Sequence, residues 1–136
     1  MQRRLLLAAG MGALAAPILL PHLAHAQSWP QRPVKIIVPY AAGGTTDVVT
    51  RLVAQHLTEA LGRNVIVENR AGGGGVIGTT EVTRAPADGY TLLVGAPNSF
   101  SINQFMFRRL AYSPERDLVG IALIGQVPNI LMTNPE

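Results

Sequence analysis

VKIIVPYAAGGTTD, Val34 to Asp47, is the stretch that decides how this chain folds. Val34–Val38 is a short β-branched apolar run between Pro33 and Pro39, the composition of a buried strand. The pair Gly43-Gly44 follows, then Thr45, Thr46 and Asp47, and a helical pattern starts at once. Strand, glycine turn and helix start, in that order, make an anion cradle. Glycine lets the backbone come close, and the N–H groups of a first helical turn have no partner inside the helix. The hydroxyl of Thr45 or Thr46 can cap the helix or turn to a ligand. A plain βα turn with a threonine cap is the competing reading.

Downstream, apolar pairs recur every four residues at Val48/Val49, Leu52/Val53, His56/Leu57 and Ala60/Leu61. That spacing predicts an amphipathic helix over Asp47–Leu61 packed on a sheet, with Arg51, Gln55 and Glu59 on its other side. Gly62 ends it. A second strand is expected at Val65–Val67 within Asn64–Asn69, and a second helix from Val76 to about Arg84 after the glycines of Arg70–Gly75. The turn APADGY, Ala85–Tyr90, leads to a third strand at Thr91–Gly95. Pro97–Ser99 reads as a loop, Ile102–Leu110 as a short helix and Tyr112–Asp117 as a turn. Leu118–Ile124 and Asn129–Thr133 are a fourth and a fifth apolar run.

Strands alternating with helices at this spacing imply βαβ units on a mostly parallel sheet, an α/β fold. Ligands of such sheets bind at the carboxyl ends of the strands. The three loops that follow the strands, Tyr40–Asp47, Arg70–Gly78 and Ala96–Ser99, should therefore share one edge. The candidate ligand-binding residues of the first loop are Tyr40, Ala41, Gly43, Gly44, Thr45, Thr46 and Asp47. The second loop adds Gly73 and Gly74, and the third Asn98 and Ser99.

The chain has 136 residues, no cysteine and a formal charge of +3. Arg3-Arg4, the apolar Leu5–Leu20 and the small-x-small motif Ala24-His25-Ala26 form a secretory leader, residues 1–26. Its loss removes two of the eleven basic residues and none of the eight acids, so the remainder is near neutral. No basic, aromatic-laced patch is left to hold nucleic acid. No second apolar segment follows that would keep the cleaved chain in a membrane. His56 is the only histidine after the leader, and it sits within a helical pattern, poor support for a metal site or a Ser/His/Asp triad.

Gly73, Gly75 and Gly78 spell G-x-G-x-x-G after a strand. A dinucleotide site also needs an acid at the end of the next strand for the ribose, and Gly95–Ser99 has none. The first loop lacks the Gly-Lys-Ser/Thr of a phosphate loop. No base stands beside Thr45, Thr46 or Ser99, and Asp47 has no second carboxylate near it in sequence. Asp47 is better placed as a first-turn carboxylate favouring the helix dipole than as a ligand contact. No cofactor is called for. The profile is that of a non-catalytic anion site; a secreted α/β hydrolase or nucleotide-binding enzyme using the glycine loops is the alternative.

Several dense motifs then carry a resemblance. They are W-P-x-R-P at Trp29–Pro33, I-V-P-aromatic-x-x-G-G-x-x-D at Ile37–Asp47 and L-G-R-N-V-I-V-E-N-R-x-G at Leu61–Gly72. G-G-V-I-G at Gly74–Gly78, D-G-Y-T-L-L at Asp88–Leu93 and the turn at Ser113–Asp117 continue them. In that order they resemble the substrate-binding proteins of tripartite tricarboxylate transporters, the Bug or TctC family, from Trp29 to Glu136. The chain departs from the family's usual pattern at Tyr40-Ala41-Ala42, at Ala71–Gly75 and at Phe100, which bears on ligand identity. The resemblance implies a two-lobed periplasmic binding protein of type II that closes about a hinge on a small carboxylate or related organic acid. Membrane subunits of the transporter would be its partners. On this reading residues 27–128 are an N-terminal lobe, itself incomplete, and residues 129–136 begin a crossover to a second lobe.

Overall fold

The computed structural model describes residues 29–126 and 130–134. The expected leader, residues 1–26, and both ends of the expected crossover lie outside the described residues.

Strands β1 (Val34–Val38), β2 (Val65–Asn69) and β3 (Thr91–Leu93) form a parallel sheet in the order β2-β1-β3. Val34 pairs with Val65, and Lys35 with both Ile66 and Thr91. β1 is central, which is why it is apolar on both faces except at Lys35, whose half-buried side chain pairs with Glu68. Val34, Ile36, Ile37 and Val38 are all buried. The third strand stops at Leu93 rather than Gly95, although the Val94 amide still donates to the Ile37 carbonyl at 3.1 Å.

Helix α1 (Thr45–Leu61) carries the chain from β1 out to β2, and α2 (Val76–Arg84) carries it back across β1 to β3. Right-handed crossovers in opposite directions place the two helices on opposite faces. Ala54 and Thr58 accordingly flank Val65 and Val67, whereas Thr80 and Arg84 flank Lys35 and Thr91. Gly62 ends α1 in the left-handed conformation (φ 61°), its amide donating to Thr58 O at 3.0 Å. At the opposite edge from the loops, Arg32 lies over the Tyr90 ring at 4.2 Å and pairs with Asp88 at 2.8 Å, tying the chain's lead-in to the DGY turn.

The structure corrects the expected packing of α1. The face against the sheet is built from Asp47, Thr50 and Ala54, all buried. Val48 and Leu52, each 58% exposed, lie across the helix axis from it. At about 100° per residue, Leu52 and Ala54 point in nearly opposite directions. Small residues win the inner face because they let the helix approach the sheet. Thr50 is tolerated there because its hydroxyl donates to the Thr46 carbonyl at 2.6 Å. Arg51 also departs from expectation: half of its side chain is exposed, yet its guanidinium reaches back to Asp47.

Beyond β3, the expected Pro97–Ser99 loop is wound into a π-helical turn, Asn98–Ile102, that runs straight into α3 (Asn103–Met106). The helix expected over Ile102–Leu110 is thus shorter. The expected YSPERD turn contains α4 (Pro114–Asp117), with Pro114 at its first position and Asp117 accepting the Ser113 amide at 2.8 Å. Leu118–Ile124 forms no strand, nor do the described residues of the fifth run, 130–133. An apolar run becomes a strand only where a neighbour supplies ladder hydrogen bonds, and among the described residues none pairs with these.

Candidate functional site

The three loops do meet at the carboxyl edge of the sheet. Gly44 is the N-cap of α1, in extended backbone (φ −73°), and no side chain caps the helix. The threonine cap allowed by the sequence is not made, because Thr45 and Thr46 already lie in the first turn. The first-turn amides are therefore left to whatever approaches from outside. Ala41, Gly43, Gly44 and Thr45 are exposed, and Thr46 is half-buried. Gly43 holds a left-handed φ of 83°, which turns the loop into the helix.

Asp47 faces inward and is 3% exposed. Its Oδ2 accepts the Gly43 amide at 2.8 Å and Arg51 Nε at 3.1 Å. Its Oδ1 meets Arg51 Nη2 at 3.0 Å and accepts Asn69 Nδ2 at 3.0 Å. The Arg51 guanidinium, then the Gly43 and Asn69 donors, hold its carboxyl down to about 2 from an ordinary 3.8. Both oxygens are thus engaged in clasping the loop, and the Arg51 charge offsets the carboxylate. What faces out of the loop is the positive end of α1.

The second loop is a run of left-handed glycines, Gly72 to Gly75, with φ of 133°, 58°, 63° and 92°. Gly73 and Gly74 are exposed on it. Gly78 serves packing instead, because a Cβ there would lie 2.8 Å from Arg70 O and 2.9 Å from Pro39 Cα, so its absence permits α2 to touch the end of β1. In the third loop Ser99 is fully buried, and its hydroxyl lies 3.4 Å from the Tyr40 hydroxyl. The Tyr40 oxygen also accepts the Ala96 amide at 3.3 Å. Gly75 leaves room for this contact, since its Cβ would sit 3.3 Å from Ser99 Oγ and 3.5 Å from the Tyr40 oxygen. Tyr40 and Ser99 are therefore mortar between the loops, whereas Ala41, Gly43, Gly44, Thr45, Gly73, Gly74 and Asn98 line the exposed side. A separate groove of about 710 Å³ between α2 and the sheet contains none of the candidate residues. Among the described residues, no three His, Asp or Glu side chains gather as metal ligands would.

Residues 49–136 match the tripartite tricarboxylate transporter family receptor. The chain belongs to this family. Protein BugT of Bordetella pertussis is 40% identical over 134 residues, covering 98% of this chain and 40% of BugT. A solved R. palustris protein with adipate, Rpa4515, superposes with a TM-score of 0.63 at 40% identity, covering 65% of this chain and 29% of that one. MatC from Rhodopseudomonas palustris, solved with bound malate, gives a TM-score of 0.63 at 39% identity, over 65% of this chain and 30% of MatC. The α/β architecture with a parallel sheet is thus that of periplasmic binding proteins, and the family is one of receptors rather than enzymes. That sets aside the hydrolase and nucleotide-enzyme alternative. The chain spans 40% of BugT's length.

Within this receptor fold, the sequence reading missed the residues that tie the loops together. Asn103, expected only as part of a helix, is buried and donates to the Gly74 carbonyl at 3.1 Å and towards the Tyr112 hydroxyl at 3.4 Å. Tyr112 in turn donates to the Ser99 carbonyl at 3.0 Å. Asn69 joins the first loop to β2, donating to Tyr40 O at 3.2 Å. For Asn69 the available signal was position: an amide at the end of an apolar strand, where only loop backbone remains to be satisfied. Among the described residues, no helix is long and apolar enough to cross a membrane.

Proposed function

We propose that this chain is part of a periplasmic solute receptor that captures small carboxylates or related organic acids for a tripartite tricarboxylate-type transporter. The observation that carries this is the uncapped start of α1, set beside an exposed glycine loop at the sheet's carboxyl edge. A carboxylate at that point meets free N–H donors and the positive helix end together. Family membership supports the reading, as do the relatives solved with adipate and malate. The direct contacts are the amides from Gly44 to Thr46, the Gly43 amide of that turn being held by Asp47, and the hydroxyls of Thr45 or Thr46. Gly73, Gly74 and Asn98 border the same opening. Asp47, Tyr40 and Ser99 act by shaping it. Residues 1–26 are a leader cleaved after Ala26, so exported protein should begin at Gln27 on N-terminal sequencing; a mature protein that retains Met1 would refute this.

The test is a titration of the chain with adipate, malate, tricarboxylates, keto acids and amino acids, followed by thermal shift and calorimetry. Gly44→Val is the informative variant. Gly44 has an ordinary φ, and its Cβ would meet only Ala41 O at 3.5 Å, so a side chain there leaves the fold intact while obstructing the amides. Losing a charge-assisted hydrogen bond costs about 1.5–3 kcal/mol, roughly one to two decades in affinity, and obstruction should cost at least that. Equal binding by Gly44→Val and wild type would move the ligand away from α1.

A further inference from the structure

Asn69 ends β2 just where the sheet edge meets the first loop, and every polar atom of its side chain is engaged. Its Oδ1 accepts Arg51 Nη2 at 2.9 Å. That orients the amide so that Nδ2 faces the other way, donating to the Tyr40 carbonyl at 3.2 Å and to Asp47 Oδ1 at 3.0 Å. Asp47 then holds the Gly43 amide at 2.8 Å. The two ends of the segment Tyr40–Gly43 therefore hang on one side chain, the carbonyl directly and the amide through Asp47. Between them Ala41 and Ala42 are exposed, and a Cβ at Gly43 would meet nothing within 4 Å. Packing does not fix this loop; the hydrogen-bonded knot does.

We propose that Asn69 is the positioning residue of the first glycine loop: by fixing Gly43 through Asp47 it holds the Gly44–Thr46 amides open to a carboxylate before one arrives. This rests on the carboxylate reading of that loop. A loop already ordered gives up less conformational entropy on binding, so affinity depends on a side chain outside the ligand's reach. The charged groups facing Asn69 are Asp47 and Arg51, both from α1. Lys35, Glu68, Arg70 and Glu81 pair among themselves on the α2 side of the sheet.

The experiment compares the 136-residue chain with Asn69→Leu, Asn69→Asp and Thr58→Ala, reading amide hydrogen exchange and titration with adipate. Thr58→Ala loosens the far end of α1 and serves as the control for general destabilisation. In Asn69→Leu, exchange at Gly43 should quicken at least tenfold relative to the β1 amides, and adipate should bind about tenfold more weakly. Asn69→Asp preserves size and gives a signature that stability alone would not. At neutral pH its carboxylate cannot donate and confronts Asp47, so the loop loosens. As pH is lowered, one proton shared by the two neighbouring carboxyls restores a donor, and Gly43 protection returns. Wild type shows no such recovery. Gly43 exchange in Asn69→Leu matching Thr58→Ala overturns the proposal, as does a loosened loop with wild-type adipate affinity. Failure of wild type to bind any acid would sink the carboxylate reading instead, while the exchange comparison would still decide whether Asn69 sets the loop.

Discussion

Asp47 shows how one carboxylate can be kept charged in a nearly dry place. Arg51, the Gly43 amide and Asn69 all favour the ionised form, and its pKa falls from 3.8 to about 2. A group more acidic in the folded chain than in the unfolded one stabilises the fold above its unfolded value. That stability is lost as pH falls through the folded value. For Asp47 the window runs from about pH 4 down to about pH 2. Glu68, lowered mainly by Lys35, and Asp117, lowered by Arg116 and the Ser113 amide, act in the same direction. The urea midpoint should therefore be flat from pH 7 to about 4 and fall steeply below it. Asp47→Asn should start lower and lose less across that window. An equal fall in both proteins would mean that the knot is not made. The sequence made the first-turn role of Asp47 legible, because a carboxylate there suits the helix dipole. It did not reveal Arg51 and Asn69 as partners, since a spacing of 22 residues between Asp47 and Asn69 carries no local signal.

At the scale of elements, α1 is secured at its far end by a residue that sequence periodicity would leave idle. Thr58 Oγ1 donates to the Ala54 carbonyl at 2.8 Å and accepts the Val65 amide at 3.0 Å, so it joins the helix to the first residue of β2. Thr58→Ala should leave the Val65 amide without its partner and cost about 1–2 kcal/mol of stability in urea unfolding. An unchanged midpoint would show that water serves Val65 equally well. Ligand affinity should barely move, because the change lies at the opposite end of α1 from Gly44. The lengths of α1 and α2 were legible because glycines and prolines punctuate them. The buried side of α1 was not. Its apolar stripe is wide enough to fit several orientations, and the sheet selected the one in which Asp47, Thr50 and Ala54 allow the closest approach.

At the scale of the whole molecule, the βαβ order could be read from alternating runs, and it dictated that three loops share an edge. Where the sequence failed was downstream of β3, because whether an apolar run pairs depends on neighbours that its own residues do not name. That failure has a physical consequence. Val119 is 89% exposed, Ile121 81% and Leu123 76%, alternating along one stretch with the side-chain period of a strand. Leu131, fully exposed, and Phe105, 84% exposed, add to the apolar surface. Apolar surface of this kind on an isolated chain drives association or dye binding. The 136-residue chain should therefore elute in gel filtration with light scattering at more than one chain's mass. The double change Val119→Lys and Ile121→Lys should shift it towards the monomer. Neither side chain is buried in the isolated chain, so the urea midpoint of the monomer should stay the same within a few tenths of a kcal/mol. A wild-type chain that stays monomeric and binds no hydrophobic dye would show that these side chains find cover within their own chain.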